Sequence, residues 1–152
     1  DAGGIAGTVD EIGLFTTDMT TYDGVYRSVP NASLWNTSIL NYSRLPTRRM
    51  DVPVGIAYED DVEKAMTLLL DHLKQDSRVL SNPAPQVLVT GLGESSVDLS
   101  LRCWSERTDF WTLKFELNKN AKLCLDAAGI SIPFPQRDVH LIPTLAEANS
   151  ST

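Results

Sequence analysis

The chain has 152 residues, 42% of them hydrophobic, and carries a formal net charge of −7 at pH 7. That length suits one ordinary domain or two small ones, and the apolar fraction is large enough for a folded core, which excludes a disordered chain. The negative charge argues against binding to nucleic acid or to an anionic membrane surface, because both depend on Lys and Arg to neutralise phosphates.

The first two predicted elements are strands. Residues 4–12 alternate through Ile5 and Gly7, with small residues where a neighbouring strand can approach, so they predict a strand with local curvature. Residues 14–20 are dominated by Thr, Phe and Met and predict a second strand. Together these strands begin a small antiparallel sheet.

A hairpin turn and a third strand follow. Asp23-Gly24 predicts a tight two-residue turn, because Gly reaches a positive φ without a Cβ clash. Residues 26–29 supply the strand. It is expected to end at Pro30-Asn31, since Pro cannot donate to the ladder and Asn can bond its own backbone in a turn.

A fourth strand and a linker are predicted next. Residues 38–43 are β-rich and mix apolar with hydrogen-bonding side chains, as expected of a strand that meets both a core and a partner surface. Pro46 then breaks the pattern, because Pro removes a donor and restricts the residue before it. Residues 45–49 therefore predict a linker between two halves of the chain.

The second half predicts the order β-α-β-β-α-β, the split arrangement of a ferredoxin-like sheet. Asp60 or Asp61 is expected to cap the first helix, and Gly129 to end the second. The predicted elements are a strand at 50–58, a helix from Val62, strands at 87–90 and 97–104, a second helix after Asp109, and a last core strand at 130–132.

The end of the chain predicts a strand without a partner. Pro133-Phe134-Pro135 prevents the preceding strand from continuing, yet residues 137–142 alternate well enough to form another. No predicted strand remains to pair with it, so its partner is expected in another chain. Residues 146–152 are polar and predicted to be disordered.

Short motifs along the sequence carry a resemblance. No single motif is specific, but their order and spacing over residues 4–142 resemble the small-conductance mechanosensitive channel family from its middle β-domain onward. The motifs are Gly4 to Val9, Thr16-Thr17, Asp23-Gly24, Val29-Pro30-Asn31, Ile39 to Ser43, Arg48-Arg49, Val54 to Tyr58, Leu92 to Val97 and Ala128 to Gln136.

The resemblance implies an α+β fold class. The implied parts are a small Sm-like antiparallel β-domain at 1–47 with a truncated first strand, a ferredoxin-like βαββαβ domain at 48–132, a C-terminal barrel-forming strand at 133–145 and a disordered tail at 146–152. In the family the barrel strand of each of seven sister chains closes a parallel barrel on the symmetry axis, which leaves no unpaired backbone edge.

The function implied by the resemblance is the cytosolic vestibule, or cage, of a tension-gated ion channel, which filters solutes and forms a base for the pore. Family members carry transmembrane helices before this region. The sequence has no apolar run near the roughly 20 residues that span a bilayer and begins at Asp1 without Met, so we expect a soluble fragment. The resemblance implies that this fragment lies on the cytoplasmic side of a cell membrane. Expected partners are sister chains in a homoheptamer, the missing helices, and permeating ions and small solutes, with no nucleic acid and no cofactor.

Eleven positions are expected to have structural or interface roles. Asn31, Asn41 and Ser43 are expected to face neighbouring subunits or the pore helices, and Arg49 to anchor the hinge between the two domains. The other positions mark a turn, a strand end or the barrel strand: Gly24, Pro30, Pro133, Pro135, Gln136, Val139 and Leu141.

No group of residues predicts catalysis or a metal site within one chain, so no enzyme is expected. His72 is expected on the surface of the first helix. His140 would meet its copies in a ring, which leaves a metal-binding or pH-sensing role open. Cys103 and Cys124 lack the CxxC spacing and are expected to be reduced core residues.

Three further patterns have simpler structural interpretations. Ser95-Ser96 lacks both the G-x-S-x-G motif and the P-loop Lys, so it predicts a turn. The acidic run at 59–61 lies at a helix start, where capping accounts for it better than a cation site does. The tryptophans, at positions 35, 104 and 111, are expected in packing and subunit interfaces.

The alternative from another class is a soluble Sm-like or ferredoxin-like module that binds nucleic acid or a small regulator. Such a module predicts a basic sheet face lined with aromatic residues. The sequence is acidic and offers few basic residues near its aromatics.

Overall fold

The computed structural model describes residues 1–140. The chain divides into two compact units, Asp1–Pro46 and the part from Thr47 onward, which we call unit 1 and unit 2. Both are built around antiparallel sheets, so the chain is a mixed α+β protein. No helix of the described part is both long and apolar enough to cross a membrane.

Unit 1 is a three-stranded antiparallel sheet with a short helix. Its strands are β1 (Thr8–Ile12), β2 (Thr16–Thr20) and β3 (Tyr26–Pro30), paired in the order β1-β2-β3, and helix α1 (Asn31–Trp35) follows directly. The register of β1 shifts between Val9 and Glu11, which is a bulge of the kind that increases local twist. The first three predicted strands are thus confirmed, with later starts for the first two.

The hairpin between β2 and β3 closes with a three-residue loop, Tyr22 to Gly24, and not with the predicted two-residue turn. Thr21 N donates to Val25 O at 2.9 Å, and Gly24 N donates to Thr21 O at 3.0 Å. Gly24 has a φ of +86°. A three-residue hairpin loop needs a left-handed residue at its last position, so Gly is required there for a different turn than expected.

The prediction of a strand at residues 38–43 is wrong. Within these residues only Ile39 forms a bridge, to Ala2, and a turn follows it. The cause is Asn41, whose Oδ1 accepts hydrogen bonds from Ser43 N at 3.0 Å, Ser43 Oγ at 3.0 Å and Arg44 N at 2.9 Å. Local side-chain bonds of this kind compete with a strand ladder for the same backbone groups.

Unit 2 is a three-stranded antiparallel sheet with two helices. Its elements are β4 (Thr47–Ile56), α2 (Val62–Gln75), β5 (Gln86–Leu92), β6 (Val97–Glu106) and α3 (Phe110–Ala127), and the strand order is β4-β6-β5. In β6, Val97, Leu99, Leu101 and Cys103 are buried, as predicted, and Ser100, expected on the other face, is buried too. The apolar residues of β6 form one core with the other strands and both helices. The fully buried members of this core include Val52, Ile56, Leu69, Leu73, Leu99, Leu101, Cys103, Leu113 and Leu125.

The ends of the helices follow the predicted capping in part. Asp61 caps α2, its Oδ1 accepting from Lys64 N at 3.0 Å. Asp109 occupies the corresponding position before α3 but makes no side-chain capping bond. Gly129, with a φ of +73°, follows the end of α3, where a left-handed residue closes the last turn.

The last predicted core strand, at 130–132, is not a strand, so the described part of unit 2 lacks the sixth element of β-α-β-β-α-β. Ile130 is buried, and Ser131 O accepts from Ala57 N at 3.0 Å. The Ser131 N–H donates to Asp60 instead of to a neighbouring strand. Pro133, which has no N–H, stands two residues further on and prevents a longer ladder.

The predicted barrel strand lies only partly within the described residues. Residues 133–140 form neither a helix nor a strand. Leu141 and the rest of the barrel strand and tail lie outside the described part.

Candidate assembly surface

Unit 1 exposes far more apolar surface than it buries. Among the described residues it buries only three hydrophobic side chains, those of Ala2, Met19 and Val29. Twelve large hydrophobic side chains are exposed, with Trp35 at 87% and Leu14 at 85%: Val9, Ile12, Leu14, Phe15, Tyr22, Val25, Tyr26, Trp35, Ile39, Leu40, Tyr42 and Leu45. Exposed apolar surface on this scale is typical of an interaction site.

One part of this surface is a concave groove. It has a volume of about 370 Å³ and lies between the sheet and helix α1. Met19 forms its buried floor, while Trp35 and Ile12 stand exposed at its rim. The groove is therefore apolar and open, which suits another protein segment better than a charged ligand.

Asn31 is held inside unit 1 by both polar atoms of its side chain and by its backbone N–H. Its Oδ1 accepts from Thr17 Oγ1 at 2.8 Å, and its Nδ2 donates to Gly13 O at 3.0 Å and Leu14 O at 3.2 Å. Its backbone N donates to Phe15 O at 2.8 Å. Asn31 thus fixes the connection between β1 and β2, directly after Pro30 ends β3.

Asn41 and Ser43 are brought together in the exposed turn described above. Asn41 Oδ1 is occupied by three donors of that turn. Both residues are exposed, and so is Gly24. The turn presents their remaining polar groups to solvent.

Arg49 belongs to a cluster on the sheet of unit 2. Its Nε donates to Asp51 Oδ2 at 3.0 Å, while Arg102 Nε of the neighbouring strand donates to Asp51 Oδ1 at 2.5 Å. Burial raises the pKa of Asp51, but the hydrogen bonds and charges of the two arginines outweigh burial and hold the pKa below its usual value. The cluster carries one net positive charge on a half-exposed face.

The outer face of α3 carries a second apolar patch. Trp111 and Phe115 stack with ring centroids 6.0 Å apart and are 57% and 66% exposed. Lys114 Nζ lies 5.5 Å from the Trp111 ring centroid. The predicted role of Trp35 and Trp111 at interfaces matches their exposure, whereas Trp104 is half-buried.

The segment after α3 is tied to the loops of unit 2. Gln136 N donates to Ser95 Oγ at 3.0 Å. Pro133 is half-buried and Pro135 exposed. Val139 is 74% exposed, so nothing in the described chain covers it.

Within residues 1–140, the side chains that could have carried chemistry are not grouped as a metal site would need. The described residues contain no group of three His, Cys, Asp or Glu side chains placed to hold a metal. His72 is half-buried and not on the open surface as expected, and its Nε2 has no hydrogen-bond partner within the described chain. Burial raises the pKa of the Cys103 thiol to about 11, so that thiol stays protonated at neutral pH.

Two residues that hold the C-terminal segment are not predicted to do so by the sequence pattern. The pattern assigns Asp60 only to a helix cap, yet Asp61 performs that role and Asp60 Oδ2 accepts from Ser131 N at 2.7 Å. It assigns Ser95 only to a turn. A second acid beside the true cap is the one hint in the sequence that Asp60 has another partner.

Comparison with protein families gives two matches that together cover most of the chain. Residues 50–132 match the family described as mechanosensitive ion channel MscS, C-terminal. Residues 1–44 match the family described as mechanosensitive ion channel, beta-domain.

Individual relatives agree with these matches. The small-conductance mechanosensitive channel of Edwardsiella ictaluri is 39% identical over 93% of this chain and 49% of its own length. The crystal structure of Helicobacter pylori MscS in its closed state matches 93% of this chain and 56% of its own with a TM-score of 0.88 and 27% identity. Arabidopsis thaliana MSL1, at 21% identity and a TM-score of 0.74 over 88% of this chain and 50% of its own, shares the fold. The chain spans about half the length of the curated relatives it matches.

Proposed function

The chain belongs to the mechanosensitive ion channel MscS family, and from this premise we propose that it forms the cytosolic vestibule of a tension-gated ion channel. The family consists of channels and not of enzymes. In this proposal, membrane tension opens a pore made by helices outside this stretch of the protein. Ions and small solutes then pass through the vestibule, which acts as a filter and as the base of the pore.

One observation carries the proposal: both units together match Helicobacter pylori MscS in its closed state over 93% of this chain. A match of this extent takes in residues of both units, so it concerns more than a common small fold. A vestibule needs little chemistry but large contact surfaces, and the exposed apolar faces of unit 1 and α3 supply them.

We propose that the contact surfaces join seven copies of the chain in a ring. The groove of unit 1, with Trp35 and Ile12 at its rim, would be covered by a neighbouring copy or by the pore helices. Asn41 and Ser43 would lie in those contacts, Arg49 would anchor the hinge between the units, and the segment with Val139 would meet its copies on the axis.

Tension gating is tested by recording from the full-length protein in liposome patches. We expect single-channel currents that appear with suction and disappear when it is released. Patches from empty liposomes are the control. A protein that is inserted in the bilayer yet stays silent up to the tension at which the membrane ruptures would contradict the proposal.

The ring and the filter need separate measurements. Native mass spectrometry of the detergent-extracted protein should give seven copies, and a monomer would contradict the ring. Neutral polymers of graded size, added on the side of the vestibule, should lower the single-channel conductance only below a size limit. A conductance that falls equally for all polymer sizes would contradict the filter.

A further inference from the structure

The chain that leaves α3 is held by hydrogen bonds from two loops and a helix of unit 2. Lys64 Nζ donates to Ala128 O at 2.9 Å. Three residues later, Ser131 donates its N–H to Asp60 Oδ2 at 2.7 Å and accepts from Ala57 N at 3.0 Å. Gln136 N then donates to Ser95 Oγ at 3.0 Å. Backbone groups of Ala128, Ser131 and Gln136 are thus held by hydrogen bonds, although this segment is not part of a sheet.

The two loops that make these contacts are themselves tied together. Tyr58 Oη, between β4 and α2, donates to Gly93 O at 2.6 Å in the connection between β5 and β6. That connection is closed by Gly93 N donating to Ser96 O at 2.7 Å. Ser96 Oγ in turn donates to Asp98 Oδ1 at 2.7 Å. The loop that contains Asp60 and the loop that contains Ser95 are therefore joined by a hydrogen bond.

The residues between the two contacts are stiff. Pro133 and Pro135 lie between Ser131 and Gln136, and each proline fixes its own φ and restricts the residue before it. A short stretch with two fixed torsions, held at both ends, has few conformations left. The direction of the chain beyond Gln136 is consequently set by unit 2.

We propose that Asp60 and Ser95 are positioning residues that aim the chain beyond Gln136 at the equivalent segments of sister chains. This inference rests on the proposed ring. Its physical basis is preorganisation: a segment already ordered in each subunit has less conformational entropy to lose when the copies meet. Asp60 is free for this task because Asp61 caps α2.

The first test asks whether the two side chains hold the segment in the chain of 152 residues. Amide hydrogen exchange is measured by NMR for Asp60→Ala and Ser95→Ala. We expect the Ser131 amide to exchange on the order of tenfold faster in Asp60→Ala, and the Gln136 amide faster in Ser95→Ala, since each loses its acceptor. The amides of buried Leu69 and Leu113 should stay protected.

Matched controls separate the contacts from charge and from loop composition. Glu59→Ala removes the same charge one residue away, from an exposed side chain. Ser81→Ala makes the same deletion in another exposed loop. Both should leave the Ser131 and Gln136 amides unchanged. Equal exchange in the test and control variants would overturn the inference.

The second test asks whether holding the segment matters for assembly. Native mass spectrometry of the full-length protein over a dilution series gives the concentration at half assembly. The double variant Asp60→Ala/Ser95→Ala should raise it on the order of tenfold or more. Val139→Asp, which changes the segment itself, should also impair assembly but leave the Ser131 and Gln136 amides protected.

The outcomes separate this inference from the proposed function. Faster exchange without a change in assembly overturns the positioning role and leaves the ring in place. A wild-type protein that never forms rings overturns the proposed function. It also overturns the inference that the chain beyond Gln136 is positioned for contact with sister chains. The exchange data then still decide whether Asp60 and Ser95 hold the segment.

Discussion

Asp76 shows how one carboxylate organises the end of α2. Its Oδ1 accepts from Arg78 N at 3.0 Å and Arg78 Nε at 2.9 Å, and its Oδ2 accepts from Arg78 Nη2 at 2.6 Å. Arg78 Nη2 also donates to Glu116 Oε2 of α3 at 2.5 Å. The bonds from Arg78 lower the pKa of Asp76 against the opposing effect of burial, and the charge of His72 adds to the lowering.

This arrangement predicts a pH-dependent loss of stability in Asp76→Asn. The folded-state pKa lies below the unfolded value, so the carboxylate contributes fully above about pH 5 and loses its contribution as pH falls through the folded pKa. We expect a decrease of about 1–2 kcal/mol in the free energy of unfolding at pH 7. Urea unfolding from pH 7 to pH 2 measures it, and the difference from wild type should shrink in acid.

The control for that prediction is Asp71→Asn, which removes an exposed carboxylate from the same helix. It should change the free energy of unfolding by less than about 0.5 kcal/mol. If the deficit of Asp76→Asn were the same at pH 7 and pH 2, the interaction of the ionised carboxylate with Arg78 would not be its cause.

Gly129 permits a second prediction at the scale of one residue. Its φ of +73° is a conformation that a Cβ makes unfavourable. Gly129→Ala should lower the free energy of unfolding by about 1 kcal/mol, and Gly129→Asn should cost less because Asn tolerates the left-handed region. Thermal or urea unfolding gives the ranking, and an Asn variant less stable than the Ala variant would contradict it.

At the scale of an element, α3 has two faces with different tasks. Its inner face is buried in the core of unit 2 through Leu113, Leu117 and Leu125. Its outer face exposes Trp111 and Phe115. Neighbouring large apolar side chains that are exposed in this way are typical of a contact surface. The inner face therefore governs folding, and the outer face is available for contacts in the proposed ring.

Two leucines of α3 test this division directly. Leu117 is 1% exposed and Leu123 is 54% exposed. Leu117→Ala should lower the free energy of unfolding by about 2–5 kcal/mol, because it removes buried apolar surface and leaves a cavity, whereas Leu123→Ala should cost less than about 1 kcal/mol. Urea unfolding of both variants gives the comparison, and equal losses would contradict the assigned orientation of the helix.

For the whole molecule, the net charge of −7 affects permeating ions mainly through assembly. A single acidic chain of this size creates a weak field around itself. Several copies around a common space would add their potentials and raise the local concentration of cations. Salt screens such a field, since the Debye length falls from about 30 Å at 0.01 M to about 3 Å at 1 M.

The proposed vestibule should therefore favour cations more strongly at low salt. Reversal potentials of the full-length channel give the ratio of potassium to chloride permeability. We expect that ratio to decrease as the salt concentration is raised from about 0.01 M to about 1 M. Permeation of a neutral solute is the control and should stay constant. A permeability ratio that is independent of salt would contradict a role for the charge of the chain.

Much of the fold was predictable because it depends on local periodicity. The pattern of α2 places Leu69 and Leu73 in the core, and that of β6 places Leu99 and Leu101 there, as observed. Family membership was predictable from the order of the short motifs. The strand predicted at 38–43 failed because β-propensity did not account for the turn that Asn41 makes with its own neighbours.

The sequence by itself determined the α+β class, most of the elements and the family, because the periodicity of apolar residues and the order of the motifs can be recognised in the sequence alone. Only the tertiary structure decided which partners the polar groups find. Asp60 meets Ser131 across 71 residues, and Ser95 meets Gln136 across 41. Such pairs leave no periodic pattern, since they depend on how the loops come together once the core has formed.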